Sequence, residues 1–351
     1  MRRFSARVTT PDRRNARTLY VPSAFVKPTP ANTGPRVART VDVRTAITGF
    51  NTASVVESAL PEDQGVVRLS GLNFTVAGGL QFLGTNGGPN LHTKYILRDC
   101  EFPGGVSFDG GFRGVVDIDY CKSTYIGINS PSGKIGHSIW NQTGNLDAQG
   151  RTAGIPSFMT RYDSSTVLST TNTPTPWAVT DSIYLCGYPN LAIDATDPHY
   201  EAVHIRGGDG ITFDNCVLDC GYRYKADGVT INPDVTAVFS CEGGNGGYGL
   251  IAIRNSYVYG SNQFEIMLNI DWVPNFIFAD NRIGHIKNPG DTTREGLNRA
   301  APGINFNSIG SGPAVGATFA RNVWDVDGTP VAPGFLGRPA ADGGNTTQVW
   351  Y

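Results

Sequence analysis

The densest group of side chains able to exchange protons lies at residues 192–204, A-I-D-A-T-D-P-H-Y-E-A-V-H. Glycosidic hydrolysis takes two carboxyl groups about 5–10 Å apart, one as acid and the other as nucleophile or base. Asp197 with Glu201, or Asp194 with Asp227 from a neighbouring segment, have the spacing to reach that separation. The same residues also read as turn caps, because Asp-Pro at 197–198 and the Asp-Ala-Thr-Asp run are ordinary turn chemistry. His199 and His204 stand five apart and fall on opposite faces of a strand, which disfavours joint metal ligation. His92, His137 and His285 are isolated in sequence and read as surface or packing residues. Six cysteines without a Cys-x-x-Cys pair give neither a disulfide framework nor a metal signature, and no second close pair joins Cys216 and Cys220 to complete a zinc set. No cofactor is expected.

A polar stretch between Asn141 and Asp181 contains S-S-T-V-L-S-T-T-N-T-P-T-P-W (164–177) and reads as a loop insertion at about 141–181. Insertions of this kind typically carry recognition, because loops tolerate variation that packed elements do not. Trp140, Phe158, Tyr162 and Trp177, with Tyr222 and Tyr224 further on, are candidates to stack on sugar rings. Sealing the insertion onto the body is an equal alternative.

The elements that must position these residues are announced by an eight-residue phrase. Its copies are V-R-L-S-G-L-N-F (67–74), Y-I-L-R-D-C-E-F (95–102), V-D-I-D-Y-C-K-S (116–123), I-T-F-D-N-C-V-L (211–218), I-A-I-R-N-S-Y-V (251–258), F-I-F-A-D-N-R-I (276–283) and A-T-F-A-R-N-V-W (317–324). Mostly apolar residues at the first, third and eighth places, with Asp, Asn, Cys or Ser often at the fifth and sixth, read as strand, bend, strand. A unit that cannot bury its own apolar face must stack on copies of itself. Stacking would align Cys100, Cys121 and Cys216, which share one place in the phrase, as a column of small buried thiols. The steps between fourth positions are 28, 21, 95, 40, 25 and 41 residues. Short steps suit one coil and steps near forty suit two, the missing coils being D-G-V-T-I-N (227–232) and G-I-N-F-N (303–307). The long step, which carries Y-L-C-G-Y-P-N-L-A-I (184–193), would hide about four.

Over roughly residues 60–330 this pattern resembles the right-handed parallel β-helix family, which holds pectate lyases, polygalacturonases and bacteriophage tailspikes. The resemblance implies an all-β solenoid. An antiparallel sandwich or barrel is the competing architecture, but its hairpins would favour two-residue Asn-Gly turns over an in-strand polar corner. The enzymes of the family depart from this chain. Of the N-T-D, D-D, G-H-G and R-I-K motifs of the polygalacturonases, only K-A-D-G-V-T-I (225–231) and R-I-G-H-I-K (282–287) are loosely similar, and no D-D pair exists. The calcium-binding acidic cluster and W-I-D-H segment of pectate lyases are missing, S-I-W-N-Q (138–142) being the nearest match.

Charge divides the chain. Residues 1–40 hold nine basic groups, among them Arg2, Arg3, Arg7, Arg13, Arg14 and Arg17, against Asp12, a net of +8. The remainder carries 19 basic and 29 acidic residues, a net of −10. Five prolines favour an extended arm over a helix. The arm lacks the aromatic interleaving of single-strand nucleic-acid binders, and an idle tail would be mobile. The favoured reading is docking on acidic protein surfaces of a larger assembly. No segment has the eighteen or so consecutive apolar residues of a membrane span, and no apolar core follows Arg2 and Arg3, so no secretory signal is expected. Glycine, at 44 of 351 residues, suits tight corners, and the Gly- and Pro-rich segment 329–351 is expected to cap the body, residues 41–328.

Together these readings predict a minor tail or tailspike-like structural protein of a tailed bacteriophage virion, assembled in the host cytoplasm. Its arm would meet other tail proteins, its side loops host-surface polysaccharide, and three copies would associate, as the resemblance implies. The alternative is a polysaccharide-degrading enzyme, either glycoside hydrolase or lyase. Neither nucleic acid nor membrane insertion enters either reading.

Overall fold

The computed structural model describes residues 26–36, 54–56, 62–74, 80–83, 94–103, 105–109, 114–123, 126–128, 132–141, 158–160, 176–185, 202–205, 210–219, 237–242, 249–259, 264–269, 275–286, 294–295, 304–305, 318–325, 327–331 and 349–350, some of the strand residues by backbone alone. Among them the chain is all-β, without a helix. Its largest sheet takes one strand from each phrase: Val66–Ser70, Lys94–Arg98, Val115–Asp119, Ser132–Gly136, Trp177–Thr180, Ile211–Asp214, Leu250–Arg254, Asn275–Ala279 and Thr318–Ala320, every neighbour parallel. The second half of each phrase forms a second parallel sheet, running from Glu101–Phe102 through Ile139–Asn141, Ile183–Leu185 and Tyr257–Tyr259 to Arg282–Ile286. Shorter parallel sheets contain Leu80–Leu83, Val106–Asp109 and Ile126–Ile128 on the one hand and Val203–Ile205, Ala237–Glu242 and Phe264–Asn269 on the other. The chain visits them in turn. From Lys94–Arg98 it passes to Glu101–Phe102, then Val106–Asp109, and returns at Val115–Asp119 beside its starting strand.

Parallel neighbours in register place like positions one above another, about 4.8 Å apart. In the large sheet Leu69, Leu97, Ile118, Ile135, Val179, Phe213, Ile253, Phe278 and Phe319 form one buried column. A second column runs Val67, Tyr95, Val116, Gly133, Trp177, Ile211, Ile251, Phe276. Gly133 is the gap that Trp177 fills: a Cβ there would sit on the indole ring and 2.5 Å from the Val116 carbonyl oxygen. In the second sheet Phe102, Ser123, Trp140, Tyr184, Leu218, Val258, Ile283 and Trp324 align, the small Ser123 lying beside Trp140. Full burial of each large apolar side chain is worth about 1.5–3 kcal/mol.

Register corrects the spacing argument. Asp214 pairs directly with Arg254, and Ala279 with Ala320, so steps of 40 and 41 residues are single steps. Of the segment 303–307, Ile304–Asn305 joins a short parallel sheet beside Phe264–Asn269 and not the large sheet. The segment 227–232 lies outside the described residues. The step of 95 residues contains two further phrases, not four, with corners at Gly136-His137-Ser138 and Thr180-Asp181-Ser182. The expected insertion likewise contributes Phe158–Thr160 and Trp177–Thr180 to the sheets.

The ends of the stack have their own pairing. Glu62–Asp63 folds back on Val66–Val67 through Gln64 and Gly65, both with positive φ, the geometry of a type I′ hairpin. At the other end Val331 donates to the Asn322 carbonyl, and Val349–Trp350 pairs with Thr318–Phe319.

Candidate functional site

Each phrase turns from the large sheet into the second in two residues. The fifth residue adopts a left-handed conformation, at Asp99, Tyr120, His137, Asp181, Asn215, Asn255, Asp280 and Arg321, with φ between 44° and 61°. Gly71 opens the row with φ 70°. Asp and Asn accept this region more readily than most residues. The bend is sustained by the sixth residue, which is buried in every copy from Cys100 onward: Cys100, Cys121, Ser138, Ser182, Cys216, Ser256, Asn281, Asn322. Its backbone N–H donates to the side chain one step along: Cys100 to Cys121 Sγ at 3.5 Å, Cys121 to Ser138 Oγ at 3.1 Å, Ser138 to Ser182 Oγ at 3.1 Å. The series continues through the Ser182 backbone to the Cys216 thiol, Cys216 to Ser256 Oγ, Ser256 to Asn281 Oδ1 and Asn281 to Asn322 Oδ1. Ser hydroxyls in turn donate to the carbonyl two residues back, at 2.7 Å. This column satisfies backbone groups that the corner would otherwise bury unpaired. Burial pushes the Cys121 and Cys216 thiols well above their usual range, so they act as packing groups.

Outside this column the left-handed residues form a polar ridge. The His137 ring stacks on Tyr120, centroids 4.5 Å apart and planes 6° from parallel. Its Nδ1 lies 2.9 Å from Asp119 Oδ1 and its Nε2 3.9 Å from Asp181 Oδ2. Asn215 donates to Asp181 at 2.7 Å, Asn255 to Asp214 at 2.7 Å, and Arg321 grips Asp280 through two bonds of 2.6 Å. On the large sheet's outer face Asp117 is shared by Arg98 at 2.8 Å, Lys134 at 3.4 Å and Lys94 at 3.7 Å.

Residues 26–36 lie across this ridge as a strap. A turn over Thr29-Pro30-Ala31-Asn32 shapes it: Asn32 N–H donates to the Thr29 carbonyl, Thr29 N–H to Asn32 Oδ1, and Asn32 Nδ2 to the Lys27 carbonyl. Arg36 makes two bonds to Asp99, at 2.9 and 2.6 Å, adds its backbone N–H at 3.1 Å, and rests 4.1 Å above the Tyr120 ring. The hydrogen bonds to Asp99 hold the guanidinium firmly in its charged form. Gly34 donates to the His137 carbonyl at 2.7 Å, and a Cβ there would meet Ile139. The Val26 carbonyl accepts from Asn215 at 2.9 Å. Lys27 Nζ sits over Tyr257 and Tyr259, 4.3 and 4.8 Å from their centroids, and donates to the Tyr259 hydroxyl at 2.6 Å, which donates on to Asp325. A carboxylate beneath an aromatic face recognises a guanidinium, and a pair of phenol rings recognises an ammonium. The ridge holds residues 26–36 through these two kinds of contact.

Several expectations change here. Trp140 and Trp177 are fully buried in two of the three apolar columns, so neither can meet a sugar. His137 is not isolated, since it stands between two carboxylates. The arm expected to reach other proteins has Lys27 and Arg36 bound to its own body, through partners 232 and 63 residues away that no local pattern announces. Asp194, Asp197, Glu201, Asp227, Tyr162, Tyr222, Tyr224, Arg2, Arg3, Arg7, Arg13, Arg14 and Arg17 lie outside the described residues, as do His92 and His199. His204 and His285 are described by backbone alone. Among the described residues no three His, Cys, Asp or Glu side chains are grouped to hold a metal ion.

Comparison with protein-family models, with curated proteins and with solved structures finds no match to this chain.

Proposed function

We propose that the chain is a right-handed parallel β-helix solenoid serving as a minor tail or tailspike-like structural protein of a tailed bacteriophage. The observation that carries the reading is the strap: an arginine- and proline-rich terminus is keyed to a rigid stack of strands, so the +8 arm is tethered to the body at a fixed place. A tether of that kind suits attachment within a particle, with Arg2, Arg3, Arg7, Arg13, Arg14 and Arg17 engaging acidic surfaces of other tail proteins. Three copies and contact between side loops and host-surface glycans belong to the same proposal. The test is incorporation: chains with all six arginines changed to Glu should fold with an unchanged β-sheet signal yet be missing from purified particles. Normal incorporation would reject the assignment.

A second reading, a polysaccharide-degrading enzyme, draws on Asp119 and Asp181 flanking the His137 ring. Incubation of the purified chain with envelope glycans separates the two, since an enzyme releases new reducing ends or unsaturated sugars, and Asp119→Asn with Asp181→Asn abolishes them.

A further inference from the structure

The strap behaves as a ligand of the ridge more than as a part of the sheets. Among the described residues it joins no strand, and it is read at separate points: Arg36 by Asp99 and Tyr120, Gly34 by His137, Lys27 by Tyr257 and Tyr259. Its central turn is closed by bonds within the strap itself, from Thr29, Asn32 and Lys27, so its shape does not depend on the surface that receives it. Such a segment binds with little ordering cost. Seventeen residues, 37–53, separate Arg36 from the first described strand, Ser54–Val56. That length reaches up to about 60 Å, while the ridge from Asp99 to Asn255 is five strand spacings, about 24 Å. Chain connectivity therefore does not decide which body the strap lies on.

We propose that the ridge is an interface between copies of this chain, residues 26–36 of one copy lying on the Asp99–Tyr259 ridge of a second. Identical contacts are made within and between chains, so exchange sacrifices none of them, and local concentration selects the arrangement. Arg36 meets the Asp99 carboxylate on a body whose net charge is −10, and the basic arm of one copy is thereby attracted to the body of a second. The proposal extends the oligomeric part of the reading above. A strap that stays on its own body leaves the tethered arm and its virion test untouched.

Charge exchange in the full-length chain tests it. Arg36→Asp and Asp99→Arg each set like charges against each other, and arginine is accommodated at this corner, as Arg321 shows with φ 53°. By sedimentation or native mass, the unmodified chain should assemble with rising concentration and each variant should remain a single chain. An equimolar mixture, refolded together, should recover assemblies containing both variants, because Arg36 of one then meets Asp99 of the other. Lys27→Ala, which leaves that pair intact and removes the same contact from the closed and the exchanged forms, should leave the distribution between single chains and assemblies within about twofold of the unmodified chain. A single-chain mass for the unmodified protein at every concentration overturns the proposal. So do single variants that assemble as well as the unmodified chain, or a mixture that fails to assemble.

Discussion

Asn281 offers the sharpest test of the corner column. Its Oδ1 accepts from Ser256 N–H at 3.0 Å, its Nδ2 donates to the Ile253 carbonyl at 3.0 Å, and the residue is fully buried. Asn281→Ala removes both partners at once. An orphaned buried N–H costs about 1–3 kcal/mol, and the second bond about 0.5–1.5 kcal/mol, so the sum is about 1.5–4.5 kcal/mol. Asn281→Ser separates the two contributions. Serine at this place in the phrase accepts from the preceding N–H, as Ser182 and Ser256 do, and leaves only the Ile253 bond unmade, a loss of about 1 kcal/mol. Urea unfolding followed by tryptophan fluorescence measures both, provided the slope with denaturant is unchanged. Equal losses for the two variants, or less than about 0.5 kcal/mol for alanine, would refute the claim that this column satisfies the corners.

Three further outcomes are expected. Gly133→Ala drives a methyl group into Trp177 and the Val116 carbonyl and should lose about 1–3 kcal/mol by overpacking, read as a lower thermal midpoint; an unchanged midpoint would mean that Trp177 does not fill the gap at Gly133. Trp140→Ala and Trp177→Ala should each lose about 3–5 kcal/mol while leaving any glycan binding by the folded fraction as it was, whereas a selective loss of binding would restore them as contact residues. Stability should fall as pH rises above about 9, because Cys121 and Cys216 stay protonated in the fold while the unfolded thiols release protons near 9.0. Each raised thiol adds up to about 1.4 kcal/mol per pH unit to that slope. Cys216→Ser should lower the slope and keep the column, which urea midpoints at pH 8, 9 and 10 would report.

The Cys column was legible because Cys100, Cys121 and Cys216 follow a fixed interval from two alternating apolar residues, and alternation is the signature of a strand with one buried face. The corners at His137 and Asp181 carried the same signal, in G-K-I-G-H-S-I-W (133–140) and W-A-V-T-D-S-I-Y (177–184), but glycine and alanine diluted the alternation. Strand count failed for a different reason: Asp214 and Arg254 are direct neighbours in the large sheet although forty residues separate them, so spacing alone does not count the steps. Trp140 and Trp177 were misplaced because an aromatic residue in a polar stretch reads as exposed unless its strand is recognised first. The strap was beyond any local reading, since Lys27 and Arg36 find their sites through the stacked strands.

The left-handed row has one more property. Gly71, Asp99, Tyr120, His137, Asp181, Asn215, Asn255, Asp280 and Arg321 share nearly the same backbone, although their side chains range from none to acid, amide, imidazole, phenol and guanidinium. The inner rung holds the bend, so the outer position is free to vary. The edge is in effect a ruler graduated every 4.8 Å or so, on which mutation can write a new sequence of charges and rings, and hence a new docking partner, without redrawing the scaffold beneath.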